Sequence, residues 1–327
     1  MGNISMCKRS ETEQGEVIFD HQSYKNNPNK KNLSNGTHRN NEIHIEPNSD
    51  VAVKLEGVRI ETLINQEIKE ILEERGYNNE TLKELKSRFN DYPYCFRYNK
   101  TSEVYCGDFD ANGNKDRIGR QVWPDGSYYE GQFKSGRIEG FGRLINSNLE
   151  VYEGEWKNNV ASGEGISIDR AKVIYEGNFE NNEPNGFGTE KWPDGTIYTG
   201  NFVNGKKNGK GVFKWADGAI YEGEFIDDEF NGHGSYTWPD GRSYTGEFKN
   251  NKMDGYGEFK WPNGQIFMGM YKNDMKNGPG EFRWANNYVF KGNYIDGKKE
   301  GDGIIISPDG QERKGIWEKD KLIKWID

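Results

Sequence analysis

The chain has few aliphatic residues, few prolines and no long hydrophobic run. Only 32% of its 327 residues are Ala, Val, Ile, Leu, Met, Cys or aromatic, and its mean hydropathy is −1.03. We therefore do not expect the thick aliphatic core of a compact two-domain enzyme. Ten prolines and no glycine period of three exclude collagen, and no apolar run approaches the roughly 18 residues that a membrane-spanning helix needs. An aromatic content of 13% excludes a wholly disordered chain.

Cysteine and histidine are scarce as well, and acidic residues outnumber basic ones. Cys7, Cys95 and Cys106 offer neither a metal pair nor a disulfide framework, which predicts a reducing, cytoplasmic environment. No catalytic arrangement is visible among the four scattered histidines, so we predict no enzyme, no metal site and no cofactor. The stretch 108–116 resembles a calcium loop, but Gly119 stands where that loop requires Glu. The net charge of −9 argues against a nucleic-acid partner.

Glycine is abundant, with 42 residues, and its placement reveals a repeat of 23 residues. Aromatic residues and glycines alternate with polar residues, the period of two that is typical of half-buried strands, and a Pro-Asp-Gly turn comes next. A tenth unit begins at Arg313. The aromatic-x-Gly triplets of the first nine units begin at Tyr105, Tyr129, Tyr152, Tyr175, Tyr198, Tyr221, Tyr244, Phe267 and Phe290.

These patterns predict a mainly β fold: an elongated, twisted, single-layer antiparallel sheet of stacked β-hairpins. Each unit is expected to contain two short strands joined by a six-residue loop. About four glycines in each unit disfavour helices. We expect neighbouring rings to lie across the backbone at the glycines, because glycine has no Cβ atom that would lift them.

The unit Tyr-x-Gly-x-Phe, followed by Gly-x-Gly, a tryptophan and Asp-Gly, resembles the MORN repeat. The resemblance covers about residues 105–327 and implies a scaffold, usually at membranes or the cytoskeleton. In some members of that family an aromatic-lined groove holds a partner helix. Asn146 and Asp169 stand where tryptophan is usual, so a partner is expected to prefer the regular stretch 175–284.

We expect a partner protein, in the form of an amphipathic helix, to bind in an aromatic groove formed by the regular units. Many of the same rings must also form the core of the sheet. The candidate residues are Tyr198, Phe202, Phe213, Trp215, Tyr221, Phe225, Tyr236, Trp238, Tyr244, Phe248, Phe259 and Trp261.

The first hundred residues have a different composition from the repeats. Residues 1–50 are predicted to be a disordered tail, 51–97 an amphipathic helical segment, and 98–327 the repeat domain. The helical segment has an apolar stripe that begins at Ile60. Two roles remain open for it: it caps the open end of the sheet, or it docks in the groove and competes with partners.

The N-terminus carries a candidate lipidation signal. Gly2 is placed for N-myristoylation, Cys7 for palmitoylation, and Lys8 and Arg9 add a small basic patch. Ser5 lies one place before the position where the myristoylation pattern has Ser or Thr. One acyl chain binds membranes weakly, so both modifications are needed to tether the protein to the cytoplasmic face of a membrane. The alternative is an unmodified tail.

A row of lysines is expected to share one edge of the sheet, where it would contact anionic phospholipid. Ordinary solvated loops are the other interpretation. The row contains Lys206, Lys207, Lys249, Lys252, Lys272, Lys276, Lys298 and Lys299.

The leading hypothesis is a non-enzymatic scaffold that is tethered to the plasma membrane or to a cortical or ciliary structure. One alternative is a cytoskeletal or ciliary protein that forms homodimers through its last strand, near residues 317–326. Another is a phosphoinositide-binding relative of the MORN regions of lipid kinases that lacks the catalytic domain.

Overall fold

The computed structural model describes residues 52–55, 57–75, 80–89 and 95–326. The described residues form an open antiparallel sheet of 22 strands arranged in hairpins, with two α-helices and one turn of 3-10 helix. The predicted mainly β fold is therefore confirmed. Gly2, Cys7 and the rest of the predicted tail lie outside the described residues.

The described chain divides into two compact units. The N-terminal unit runs to residue 194 and includes 202–205, and the C-terminal unit comprises 195–201 and 206–327. The elements of the N-terminal unit are β1 (Ala52–Leu55), a 3-10 turn (Ile60–Thr62), α1 (Gln66–Arg75), α2 (Glu80–Phe89), β2 (Cys95–Tyr98), β3 (Val104–Phe109), β4 (Lys115–Val122), β5 (Tyr128–Lys134), β6 (Arg137–Ile145), β7 (Val151–Lys157), β8 (Val160–Ile168), β9 (Ile174–Glu180) and β10 (Glu183–Lys191).

The strand β11 (Ile197–Val203) has residues in both units. The other strands of the C-terminal unit are β12 (Lys206–Lys214), β13 (Ile220–Ile226), β14 (Glu229–Thr237), β15 (Ser243–Lys249), β16 (Lys252–Lys260), β17 (Ile266–Lys272), β18 (Met275–Arg283), β19 (Val289–Ile295), β20 (Lys298–Ile306), β21 (Glu312–Glu318) and β22 (Lys321–Trp325).

From the second repeat onward the hairpins close through two-residue turns, and in the first repeat five residues separate β3 from β4, so the predicted six-residue loops are wrong. In the hairpin of β13 and β14, Ile226 pairs with Glu229, and only Asp227 and Asp228 lie between them. Both turn residues have positive φ values, 50° and 71°. Asp, Asn and Gly tolerate this backbone, which matches the right-handed twist of the flanking strands. The remaining polar residues of the expected loop therefore continue the strands.

The second residue of each turn also ties its hairpin to the preceding one. The backbone N–H of Asn251 donates to the carbonyl of Phe230 at 3.0 Å, and the Phe230 N–H donates to Asn251 Oδ1 at 2.8 Å. The side chain thus replaces a backbone acceptor. Where this residue is Gly205, its N–H donates to the carbonyl of Pro184, which has no N–H that would need an acceptor.

The aromatic residues lie across glycines, as the sequence predicts. The Tyr221 ring covers Gly223 and Gly234, where a Cβ atom would lie 2.5 and 2.6 Å from the tyrosine oxygen. The Tyr221 hydroxyl donates to the carbonyl of Glu224 at 3.0 Å. Burial raises the pKa of Tyr221 above its usual 10.0, which keeps the hydroxyl a donor. The same hydrogen bond, to the residue three places on, is made by Tyr105, Tyr129, Tyr152, Tyr175, Tyr198 and Tyr244.

The helical segment covers the sheet face opposite the tyrosines of the first repeats. Ile64 and Ile68 are buried in one cluster with Val104 and Val122, which flank the ring positions on β3 and β4. Docking of this segment in the aromatic groove is therefore wrong. The cause is that the first repeats carry buried aliphatic residues on the face opposite the tyrosines. The segment 51–97 also contains β1 and β2, which extend the sheet beyond β3.

A disulfide joins Cys95 on β2 to Cys106 on β3, so the expectation of unpaired cysteines is wrong. Phe96 pairs with Tyr105, and this register places the two cysteines directly opposite each other, with their Cα atoms 4.3 Å apart. Both cysteines are buried in the cluster beneath α1.

Replacing Asn251 by glycine tests the turn-to-strand tie. Asn251→Gly keeps a residue that adopts positive φ but leaves the Phe230 N–H without its acceptor, so we expect a loss of about 1–3 kcal/mol in the free energy of unfolding. The measurement is urea denaturation followed by circular dichroism. The matched control is Gly205→Asn, which adds an acceptor opposite Pro184 and is expected to change stability by less than about 0.5 kcal/mol. Equal effects of the two variants would contradict this account.

A methyl group on Gly223 tests the packing of rings on glycines. Gly223→Ala places a Cβ where the Tyr221 hydroxyl and the Gly234 Cα already lie, and we expect a cost of about 1–3 kcal/mol in the same assay. Gly218→Asn is the control, because this turn glycine has positive φ and open space around it. An unchanged unfolding midpoint in Gly223→Ala would show that the rings do not depend on bare backbone.

Candidate binding site

Two layers of rings lie on one face of the C-terminal unit. The inner layer, here called the tyrosine layer, is fully buried, and its successive rings meet edge to face with centroids 5.1–5.8 Å apart. Rings at this separation and angle attract each other through their quadrupoles. The tyrosine layer contains Tyr198, Tyr221, Phe225, Tyr244, Phe248, Phe267, Tyr271, Phe290 and Tyr294.

The second layer, here called the tryptophan ladder, lies where each long strand meets the turn to the next repeat. Its rings form an unbroken row in which neighbouring centroids are 4.4–5.7 Å apart. The phenylalanines of the row are buried, whereas its tyrosine and tryptophans are only half-buried. In order, the ladder contains Phe213, Trp215, Tyr236, Trp238, Phe259, Trp261, Phe282 and Trp284.

The structure places eleven of the twelve predicted groove residues in these layers. Trp215, Tyr236, Trp238 and Trp261 are half-buried members of the ladder. Phe202 lies in the N-terminal unit, 4.9 Å from the Tyr175 ring. The eight predicted residues that are buried, and whose removal would first disturb the fold, are Tyr198, Phe202, Phe213, Tyr221, Phe225, Tyr244, Phe248 and Phe259.

Trp284 was not among the predicted groove residues, although it completes the ladder. Phe282 and Trp284 repeat the Phe-x-Trp spacing of Phe213 and Trp215, and that spacing was sufficient to identify them. The indole N–H groups of Trp261 and Trp284 donate to no other described residue. They are therefore available to an acceptor on a ligand.

Three of the eight lysines assigned to the lipid-binding edge lie against rings instead. Lys207 is buried, with its Nζ 5.1 Å from the Tyr198 ring centroid and 3.7 Å from Asp228 Oδ1. Lys276 Nζ lies 5.1–5.8 Å from the centroids of four rings, and Lys299 lies over Trp284 and Phe290. The attraction between an ammonium group and ring faces explains this placement. The lysines that remain beside the hairpin turns are Lys206, Lys249, Lys252, Lys272 and Lys298.

The turns that come after the first two tryptophans of the ladder are acidic. Asp217 is exposed, makes no ion pair with a described residue, and accepts the N–H of Ala219 at 2.9 Å. Asp240 pairs with Arg242, whose guanidinium lies 5.6 Å from the Trp238 ring. Partial burial alone would raise the pKa of Asp240, but the bonds and charge of Arg242 lower it overall. Asn263 and Asn286 replace the aspartates in the next two turns, so negative charge is confined to one end of the ladder.

The described residues contain no cluster of histidine, cysteine or acidic side chains that is placed to hold a metal ion. In the calcium-like stretch, Asp110 Oδ1 accepts the N–H groups of Asn112 and Asn114, which closes a turn. Neither α1 nor α2 is long and apolar enough to cross a membrane.

A family model for the MORN repeat matches more than half of the chain. The search of curated proteins found no match to this chain. The nine matched segments are residues 105–128, 129–148, 152–169, 175–197, 198–220, 221–241, 244–266, 267–287 and 290–312.

Solved structures resemble the chain at low identity. The TCP10 domain of Danio rerio CPAP, in complex with a peptide of STIL, is 13% identical over 69% of this chain and 99% of that domain, with a TM-score of 0.41. The SAS-4 TCP domain of Drosophila melanogaster, in complex with a proline-rich motif of Ana2, is 14% identical over 61% of this chain and 90% of its own, with a TM-score of 0.25. Virginiamycin B lyase of Staphylococcus aureus is 16% identical over 68% of this chain and 69% of its own, with a TM-score of 0.14.

Single alanine substitutions distinguish the two layers. Tyr244→Ala empties a fully buried site that also holds a hydroxyl bond, and we expect it to cost about 3–5 kcal/mol in the free energy of unfolding. Trp238→Ala removes a half-buried ring, and we expect at most about half that cost. Equilibrium urea unfolding measures both values. A larger loss for Trp238→Ala would assign the ladder to the core and remove it as a candidate site.

Proposed function

Because this chain belongs to the MORN-repeat family, whose repeats are in general a non-catalytic module, we propose that it is a scaffold that binds a partner protein through the tryptophan ladder. The observation that supports this proposal is the second layer of rings. The tyrosine layer already joins the hairpins that carry the ladder to one another, so the fold does not require accessible tryptophans beside it. Tryptophan and tyrosine in partly open rows are the side chains that most often dominate protein interfaces.

We propose that the tail holds this scaffold at a membrane. Acyl chains on Gly2 and Cys7 would provide the two signals that stable anchoring requires. Residues 1–50 then act as a tether between the anchor and the folded segments that begin at residue 52. The exposed Lys206, Lys249, Lys272 and Lys298 would add weak attraction to anionic lipid, although Asp227 lies 3.7 Å from Lys206 and offsets part of its charge.

Self-association through β22 is a second candidate function. Among the described strands, β22 pairs with β21 alone and leaves its other edge open. Leu322 and Ile323 are 39% and 55% exposed there. An open apolar edge favours pairing with a second strand, which would suit a cytoskeletal or ciliary element. Light scattering over a concentration series distinguishes this candidate, because a scaffold that works as a monomer keeps a constant mass.

Proximity labelling in cells tests the scaffold proposal. The full chain fused to a labelling enzyme is compared with Gly2→Ala and with the double variant Trp238→Ala/Trp261→Ala. We expect Gly2→Ala to lose membrane neighbours and the double variant to keep them while losing a specific set of protein neighbours. Tyr256→Ala is the matched control, since Tyr256 is 55% exposed on the opposite face.

Two results would overturn parts of this proposal. Identical protein neighbours for the wild type and the tryptophan variant would remove the ladder as the partner site. A free Gly2 amine in the mass spectrum of the cellular protein would remove the lipid tether and leave the partner site unaffected.

A further inference from the structure

We propose that the tryptophan ladder binds a proline-rich segment in the polyproline II conformation, which runs across the strands with one turn of the ligand on each tryptophan. This inference rests on the proposed partner-binding function and specifies the chemistry of the partner. Three properties of the ladder support it: its pitch, its unpaired indole donors, and the negative charge at one end.

The pitch of the ladder matches the turn of a polyproline II helix. Consecutive tryptophans are one repeat apart, which is two strand spacings, or about 9.6 Å. Tyr236 lies between Trp215 and Trp238 at centroid distances of 5.3 and 4.6 Å, so the two tryptophan centroids are at most 9.9 Å apart. Trp238 and Trp261 are joined through Phe259 by steps of 5.2 and 4.4 Å.

A polyproline II helix repeats every three residues, or about 9.3 Å, whereas two turns of an α-helix advance about 10.5 Å over seven residues. From Trp215 to Trp284 the ladder has three steps. Over these steps the polyproline helix loses register by about 1 Å and the α-helix by about 3 Å, which is most of a ring diameter. The ladder therefore favours the extended ligand over the amphipathic helix that the family resemblance implies.

The indole donors favour the same ligand. The N–H groups of Trp261 and Trp284 donate to no described residue, and both rings are half-buried at the surface. A polyproline II segment makes no internal hydrogen bonds, so its carbonyl groups are free to accept. The carbonyls within an α-helix are already paired. Aromatic grooves recognise such segments by packing proline rings on the tryptophan faces while the indole N–H groups donate to backbone carbonyls.

Charge gives the ligand a direction. Exposed Asp217 lies just after Trp215 in the chain and makes no ion pair with a described residue, whereas Asn263 and Asn286 hold the equivalent turns at the other end. A basic residue at one end of the proline-rich segment would pair with Asp217. The partner is therefore a proline-rich segment with lysine or arginine at one terminus.

The experiment is titration calorimetry of the full chain with synthetic peptides. The first probe is a peptide of four Pro-Ala-Pro triplets with two added arginines at one end, made with the arginines at either terminus. The second has one glycine inserted after each triplet, which destroys the three-residue period. The third is an amphipathic helix with leucine at every seventh position. We expect only the first probe to bind, with one arginine placement preferred.

Variants connect this binding to the ladder. We expect Trp238→Ala/Trp261→Ala to weaken binding of the first probe at least about 30-fold, and Tyr256→Ala to leave it unchanged. Asp217→Asn is expected to weaken the preferred arginine placement about 2- to 5-fold and to remove the preference.

Binding of the glycine-spaced peptide equal to that of the first probe would overturn the proposal. So would tryptophan-dependent binding of the helical peptide alone, but that result would leave the scaffold function standing. Absence of tryptophan-dependent binding of the first probe overturns the proposal too. The scaffold function falls separately, when the cellular neighbours do not depend on Trp238 and Trp261.

Discussion

The structure depends on one contact, an aromatic ring lying flat across two glycines of adjacent strands. The Tyr221 ring occupies the space that Cβ atoms of Gly223 and Gly234 would fill, and these two glycines are register partners on β13 and β14. The contact therefore fixes which residues face each other and on which side of the sheet they lie. It also explains the composition, because a ring on bare backbone replaces the aliphatic core that the chain lacks.

Repetition turns this contact into a continuous layer. In the tyrosine layer Tyr244 touches one ring of its own hairpin, Phe248, and one ring of the next, Tyr271, and this arrangement recurs along the layer. At the turn edge, a residue such as Asn251 binds both backbone groups of the residue 21 positions earlier: its backbone N–H donates to the Phe230 carbonyl, and its side-chain oxygen accepts the Phe230 N–H. Every hairpin is therefore held to its neighbour at its turn and at its centre. The ladder tryptophans lie outside both sets of contacts and are only half-buried.

The sequence was sufficient to predict the features that depend on period and on side-chain size. The 23-residue spacing predicted the hairpins, and the alternation of Tyr221, Gly223 and Phe225 predicted the aromatic face. It did not predict the two-residue turns, because Asp227 and Asp228 show their positive φ only once the strands pair. Lys207 was assigned to the edge because its charge suggested solvent, whereas its long stem lets the ammonium group reach Tyr198 and Asp228. The sequence predicted which face of the sheet carries the candidate rings, but not how deeply each ring is buried. Alternation distinguishes the two faces of a strand and does not distinguish a buried ring from a half-buried one.

The departures from the repeat separate the two units by role. In the N-terminal unit, Asn146 and Asp169 stand at the tryptophan position, and their side chains accept backbone N–H groups of their own turns. Burial raises the pKa of Asp169, although the backbone N–H groups of its turn that donate to the carboxylate offset part of this effect. The same repeats carry aliphatic residues on the opposite face, where α1 covers them. The same repeat therefore differs between the two units. In the N-terminal unit the tryptophan ladder is interrupted and α1 packs on the opposite face, whereas in the C-terminal unit the ladder is continuous and its tryptophans are half-buried.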